Sequence, residues 1–124
     1  TLGVRFKFKV TKQFFVVFLF LVSCSQQQPQ VQLVEKEKFE QLMKQEVQLI
    51  DVRTSGEFQG GTIGDAQNID FNAPDFKAQV SKLDKDKPVL VFCAAGGRSA
   101  GASKVLDSLG FKRIYDLKGG YRGW

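Results

Sequence analysis

The stretch Val89–Ser99 constrains this chain more tightly than any other. Pro88 opens an unbroken apolar run, Val89-Leu-Val-Phe92. It ends on Cys93, passes through Ala94, Ala95, Gly96 and Gly97, and reaches Arg98 and Ser99, where helical spacing begins. A short run of β-branched and aromatic residues suits a strand buried in a parallel sheet. In open α/β sheets, ligands bind beyond the carboxyl ends of such strands, which is where Cys93 falls. Four residues with almost no side chain let the backbone curl tightly and turn its N–H groups inward, and the helix that follows adds the positive end of its dipole. With Arg98 nearby, these features predict a lowered thiol pKa and make Cys93 a candidate nucleophile, with Ala94, Ala95, Gly96, Gly97 and Arg98 lining the substrate space.

The rest of the chain alternates between strand and helix from Val31 onward. Val31, Leu33 and Val34 mark a first strand; Phe39, Leu42 and Met43 share one helical face behind the solvated run Glu35–Lys38. Residues 47–51 form a second strand, and Glu57 and Phe58 follow in a short helical turn, with Phe58 expected to plug the core. A third strand is expected over residues 66–69. Phe76, Val80 and Leu83 mark a helix, and the charged turn Asp84–Lys87 leads into the strand before Cys93. Ala102, Val105, Leu106 and Leu109 form an amphipathic helix that stops at Gly110; residues 113–117 give a last strand, and Gly119-Gly120 a turn into a closing helix with Tyr121 and Trp124. Strands separated by helices imply right-handed crossovers and a parallel sheet covered on both faces. Asp51 and Arg53 then stand at the end of the sheet that carries Cys93. Two readings of them are open: Asp51 orients the loop while Arg53 adds positive potential, or the two form an internal pair that fastens the turn.

Three of these stretches, in order, resemble single-domain rhodaneses. They are Leu49-Ile-Asp51-Val-Arg53-Thr54 with Glu57-Phe58, the run Cys93-Ala-Ala-Gly-Gly-Arg98-Ser99, and Leu117-Lys-Gly119-Gly120-Tyr121 with Trp124. The resemblance covers residues 31–124 and implies a three-layer α/β/α domain with a parallel five-stranded sheet. It further implies sulfurtransferase chemistry that needs no metal or organic cofactor. Cys93 would attack the outer sulfur of thiosulfate or another sulfane donor and carry it as a persulfide, and cyanide or a thiol acceptor would collect it. Arg98 would hold the donor's oxygens while backbone N–H groups from Ala94 to Arg98 stabilise the persulfide. One stretch departs from the family: Gly61-Thr62-Ile63-Gly64-Asp65-Ala66 stands where Gly-His-Ile-Pro-Gly-Ala is usual, which is expected to loosen that loop and shift substrate preference.

Other chemistries compete on the same residues. Phosphatase or arsenate-reductase relatives use a loop one residue longer; here Cys93 and Arg98 are five positions apart, a cradle better sized for one sulfur atom. A non-catalytic sulfur carrier would need the same cysteine and loop, and only turnover separates it from an enzyme. A thiol redox role would need a resolving cysteine for Cys93. The chain has no histidine, which removes Cys-His and Ser-His pairs and histidine metal sites.

The net charge of +5 invites a nucleic-acid partner until it is placed along the chain. Arg5, Lys7, Lys9 and Lys12 lie in an acid-free segment of 23 residues; beyond it, 14 basic residues face 13 acidic ones, so no nucleic-acid partner is expected. That first segment continues into nine apolar residues, Phe14–Val22, too few for a span of about 20. Residues 1–23 read instead as a signal peptide. Leu21-Val22-Ser23-Cys24 resembles a bacterial lipobox, which implies cleavage before Cys24 and a lipid on it. The domain would then hang from the membrane on a polar tether, residues 24–30, on the extracytoplasmic side of a bacterial cell envelope.

Overall fold

The computed structural model describes residues 29–124. The expected signal peptide at residues 1–23, the lipid site at Cys24 and the tether up to Gln28 lie outside the described residues. Among the described residues five strands and four helices alternate: β1 (Val31–Val34), α1 (Lys36–Met43), β2 (Gln48–Asp51), α2 (Ser55–Gln59), β3 (Gln67–Asn68), α3 (Phe76–Val80), β4 (Val89–Phe92), α4 (Gly97–Ser108) and β5 (Ile114–Leu117), closed by a 3₁₀ turn at Tyr121–Gly123. The strands form one parallel sheet in the order β1-β5-β4-β2-β3. This is the five-stranded α/β architecture that the alternation predicts.

β4 lies at the centre, and all four of its residues are buried, as its apolar run requires of a strand covered on both faces. Alternation along the strands divides the core in two. Ile50, Val89, Val91 and Ile114 face α3 and α4, meeting Phe76, Val80, Ala102 and Leu106; Leu49, Leu90, Phe92 and Leu117 face α1, meeting Phe39 and Leu42. Phe39 and Phe92 pack edge to face at 6.4 Å, and Phe39 does the same with Trp124 at 6.0 Å. Each fully buried phenylalanine is worth about 1.5–3 kcal/mol of transfer free energy, so the closing turn is anchored to the core by its aromatics.

Three local expectations need correction. Phe58 is only half-buried and α2 buries no residue, because this short helix lies at the rim of the sheet. β3 pairs over two residues rather than four; Asn68 spends its side-chain amide on the carbonyls of Asp51 and Arg53, at 3.0 and 2.9 Å. The loop before β3 is tied down rather than loosened: Ile63 is buried, Thr62 donates to Asp51 Oδ2 at 2.9 Å, and the Gly61 carbonyl accepts from Arg53. Helix α4 ends at Ser108, followed by Gly110 at φ +93° as the sequence predicts for a glycine stop.

Candidate active site

Cys93 follows directly on β4 and α4 begins at Gly97, so the whole loop is made in four residues. The turn passes through Gly96 at φ +124°, a conformation open to glycine and strained for other residues. It brings the Gly96 N–H within 3.0 Å of Cys93 Sγ. The thiol donates to Ser99 Oγ at 3.5 Å, and Ser99 Oγ in turn donates to the Gly96 carbonyl at 3.2 Å. Cys93 is 1% exposed, and that burial pushes the thiol pKa up. Once the thiol is ionised, the Ser99 hydroxyl turns its proton to the sulfur, and together with the backbone N–H groups of Ser99, Gly96 and Ala95 it opposes burial and leaves the thiol below its ordinary value. The groups that favour the thiolate here are Ser99 and the loop's own amides.

The loop is held from behind by the closing turn. Tyr121 N–H donates to the Cys93 carbonyl at 2.7 Å and Arg122 N–H to the Ala94 carbonyl at 2.9 Å. That approach requires Gly120, at φ +59°; a Cβ there would sit 2.5 Å from the Cys93 oxygen and 2.6 Å from that of Ala94. Arg53 fixes the turn in its place, its guanidinium 4.1 Å over the Tyr121 ring. Arg53 Nη2 and Nε donate to Asp51 Oδ2 and Oδ1 at 2.7 and 3.0 Å, and Arg53 N–H donates to Oδ1 at 3.0 Å. Both residues are buried. Their side chains bond each other, Gly61 and Thr62, and no residue of the Cys93 loop among the described residues. The geometry is that of an internal pair fastening the turn.

Arg98 reaches from the first turn of α4 to the cap of α2. Both of its arms end on Glu57, Nη1 to Oε1 at 2.7 Å and Nη2 to Oε2 at 3.0 Å. Thr54 and Glu57 form a capping box for α2, with Thr54 N–H and Oγ1 donating to Glu57 Oε1 at 3.1 and 3.0 Å. Arg98 first and Thr54 second pull the Glu57 pKa down to about 2.

Three further groups lie beneath the loop: Ser99, Ser103 and Asp116, all buried between α4 and the sheet. Burial pushes the Asp116 pKa up to about 6, tempered by a hydrogen bond with Ser99. Among the described residues, Asp116 Oδ1 and Ser103 Oγ have no hydrogen-bond partner. The signal for Asp116 was available: it occupies an inward position, two after Ile114, in an otherwise apolar strand. Among the described residues no cluster of three or more His, Cys, Asp or Glu is placed to hold a metal ion.

A strand-end cysteine in a glycine-rich amide cradle has the layout of a nucleophilic or sulfur-handling site. Comparison with known proteins gives its family. The model of the rhodanese-like domain matches residues 35–124, and the chain belongs to that family. It is 34% identical over 92 residues to the thiosulfate sulfurtransferase GlpE of Pseudomonas savastanoi pv. phaseolicola, covering 73% of this chain and 84% of that protein. It is 42% identical over 77 residues to YqhL of Bacillus subtilis, which has no assigned function; that match covers 62% of this chain and only 60% of YqhL. Among solved structures, a rhodanese-related protein from Thermoplasma volcanium superposes with a TM-score of 0.66 at 31% identity, over 73% of this chain and 87% of that one.

Proposed function

We propose that this protein is a sulfurtransferase that carries sulfane sulfur as a persulfide on Cys93. The observation that carries the reading is the convergence of the Ala95, Gly96 and Ser99 N–H groups on a thiol whose pKa they lower. In the first half-reaction the Cys93 thiolate attacks the terminal sulfur of a donor, either thiosulfate or a thiol persulfide, and sulfite or a thiolate leaves. In the second, cyanide or an acceptor thiol removes that sulfur and regenerates the thiolate. The same amides stabilise negative charge on the persulfide, and Tyr121 and Arg122 hold the loop carbonyls turned away from it. The test is the intact mass of the protein after a sulfane donor and then after cyanide. One sulfur gained, then lost with thiocyanate formed over repeated cycles, supports an enzyme. A sulfur that loads but does not cycle supports a carrier, and no uptake by the folded, reduced protein overturns both.

The same proposal puts this chemistry at a bacterial membrane surface, a reading supported by the lipobox-like run Leu21-Val22-Ser23-Cys24. Cys24→Ala should move the protein out of the membrane fraction and leave sulfur loading on Cys93 unchanged. An unchanged membrane fraction would overturn the anchoring.

A further inference from the structure

Arg98 is the only cation in the Cys93–Ser99 loop, and its fork is already occupied. The bidentate contact with Glu57, at 2.7 and 3.0 Å, is the geometry in which a guanidinium takes the oxygens of a sulfonate or another oxyanion. Glu57 is not placed there by Arg98 alone. Thr54 holds its Oε1 through both N–H and hydroxyl, so the helix cap sets the position of the carboxylate. Asp70 is also near enough to act on the charge of Arg98. The buried cation Arg53 is spent on Asp51, and Arg122 lies outside the loop on the closing turn.

A dianion entering this site therefore meets a thiolate, a fixed carboxylate where its own oxygens would bind, and a cation whose charge is offset. A persulfide borne on a thiol has no oxyanion beside its sulfane sulfur and needs only the loop amides. Resting on the sulfur-transfer reading above, we propose that Glu57 is a specificity-determining residue, turning the site away from free dianionic donors such as thiosulfate and towards sulfane sulfur carried on a thiol. In that transfer the Cys93 thiolate attacks the terminal sulfur of R–S–SH. A new S–S bond forms as the donor's breaks, R–S⁻ leaves with the electron pair, and the proton stays on the transferred sulfur. No oxidant or reductant is consumed.

Glu57→Gln tests this, because glutamine at the same position still completes the capping box while removing the charge from Arg98. Rates of Cys93 loading are measured against concentration for thiosulfate and for the persulfide of 2-mercaptoethanol, which carries no oxyanion. The variant should shift the ratio of loading efficiencies towards thiosulfate by about tenfold, mainly through tighter half-saturation by thiosulfate. A ratio that stays put, or moves the other way, overturns the proposal. A second measurement needs no variant: the unaltered protein should half-saturate at a lower concentration of the persulfide than of thiosulfate, and the reverse order overturns the proposal as well. Loading by neither donor would instead overturn the sulfur-transfer reading beneath it.

Discussion

Two arginine–carboxylate pairs flank the Cys93 loop, and their settings are opposite. Asp51 and Arg53 are two residues apart, with side chains 0% and 5% exposed, and further donors and acceptors from Thr62 and Gly61 close the group. Glu57 and Arg98 are 41 positions apart in the chain, with side chains 35% and 28% exposed at the mouth of the site. The first pair is inside the protein and holds Tyr121 against the back of the loop. The second faces the substrate space and can exchange one partner for a ligand. Similar ions thus serve as a fastener in one place and as an adjustable element in the other, and burial decides which.

The largest effect expected from this contrast follows removal of a buried charge. Asp51→Ala leaves Arg53 uncompensated and should destabilise the protein by about 3–5 kcal/mol in urea unfolding. A loss below about 1 kcal/mol, the usual limit for exposed pairs, would erase the difference between the two pairs.

Asp116 sharpens the comparison, as a buried carboxylate without a paired cation among the described residues. Its pKa is raised from 3.8 to about 6, so the folded state favours the protonated form. The stability this gives is complete below about pH 3.8 and is lost as the pH rises through about 6. Asp116→Asn stays neutral throughout. Relative to the unaltered protein it should gain stability between about pH 4 and 7, by at most about 3 kcal/mol. Parallel stability curves for the two proteins over that interval would contradict the burial of an uncompensated charge.

Smaller effects belong to the loop and its mouth. Ser99→Ala removes the hydroxyl beside Sγ and should raise the thiol pKa at a stability cost of about 1 kcal/mol. An unmoved thiol would leave the activation to the amides alone. Glu57→Gln should cost about 1 kcal/mol or less, because the pair is partly solvated and the cap survives. The Glu57 pKa is lowered, to about 2, so its contribution is present above the ordinary carboxylate value of 4.5 and is lost only as the pH falls through about 2. A loss as large as that of Asp51→Ala would make the mouth pair a second fastener.

Much of this was legible in the sequence because the signals are local. The apolar run of β4, the small residues after Cys93 and the 3.6-residue stripe of α1 each specify their own element. The position of Cys93 followed from the rule that sheets bind at strand ends. What stayed hidden depends on residues distant in the chain. Nothing near Arg98 announces that a helix cap 41 positions earlier supplies its partner. Asp51 and Arg53 left two readings open until Tyr121 was seen beneath the guanidinium. Phe58 misled because hydrophobicity alone does not say that α2 lies at the rim.

Sulfur transfer at Cys93, as proposed, depends on a loop that favours the thiolate through its own amides and Ser99, with Arg98 turned to Glu57. The most direct test is the pH dependence of thiolate ultraviolet absorbance, taken as the difference between the unaltered protein and Cys93→Ser so that Cys24 cancels. The expected result is a titration midpoint below the ordinary cysteine value of about 8.5, and the same direction of shift in Glu57→Gln. A midpoint at or above that value in the folded protein would contradict it.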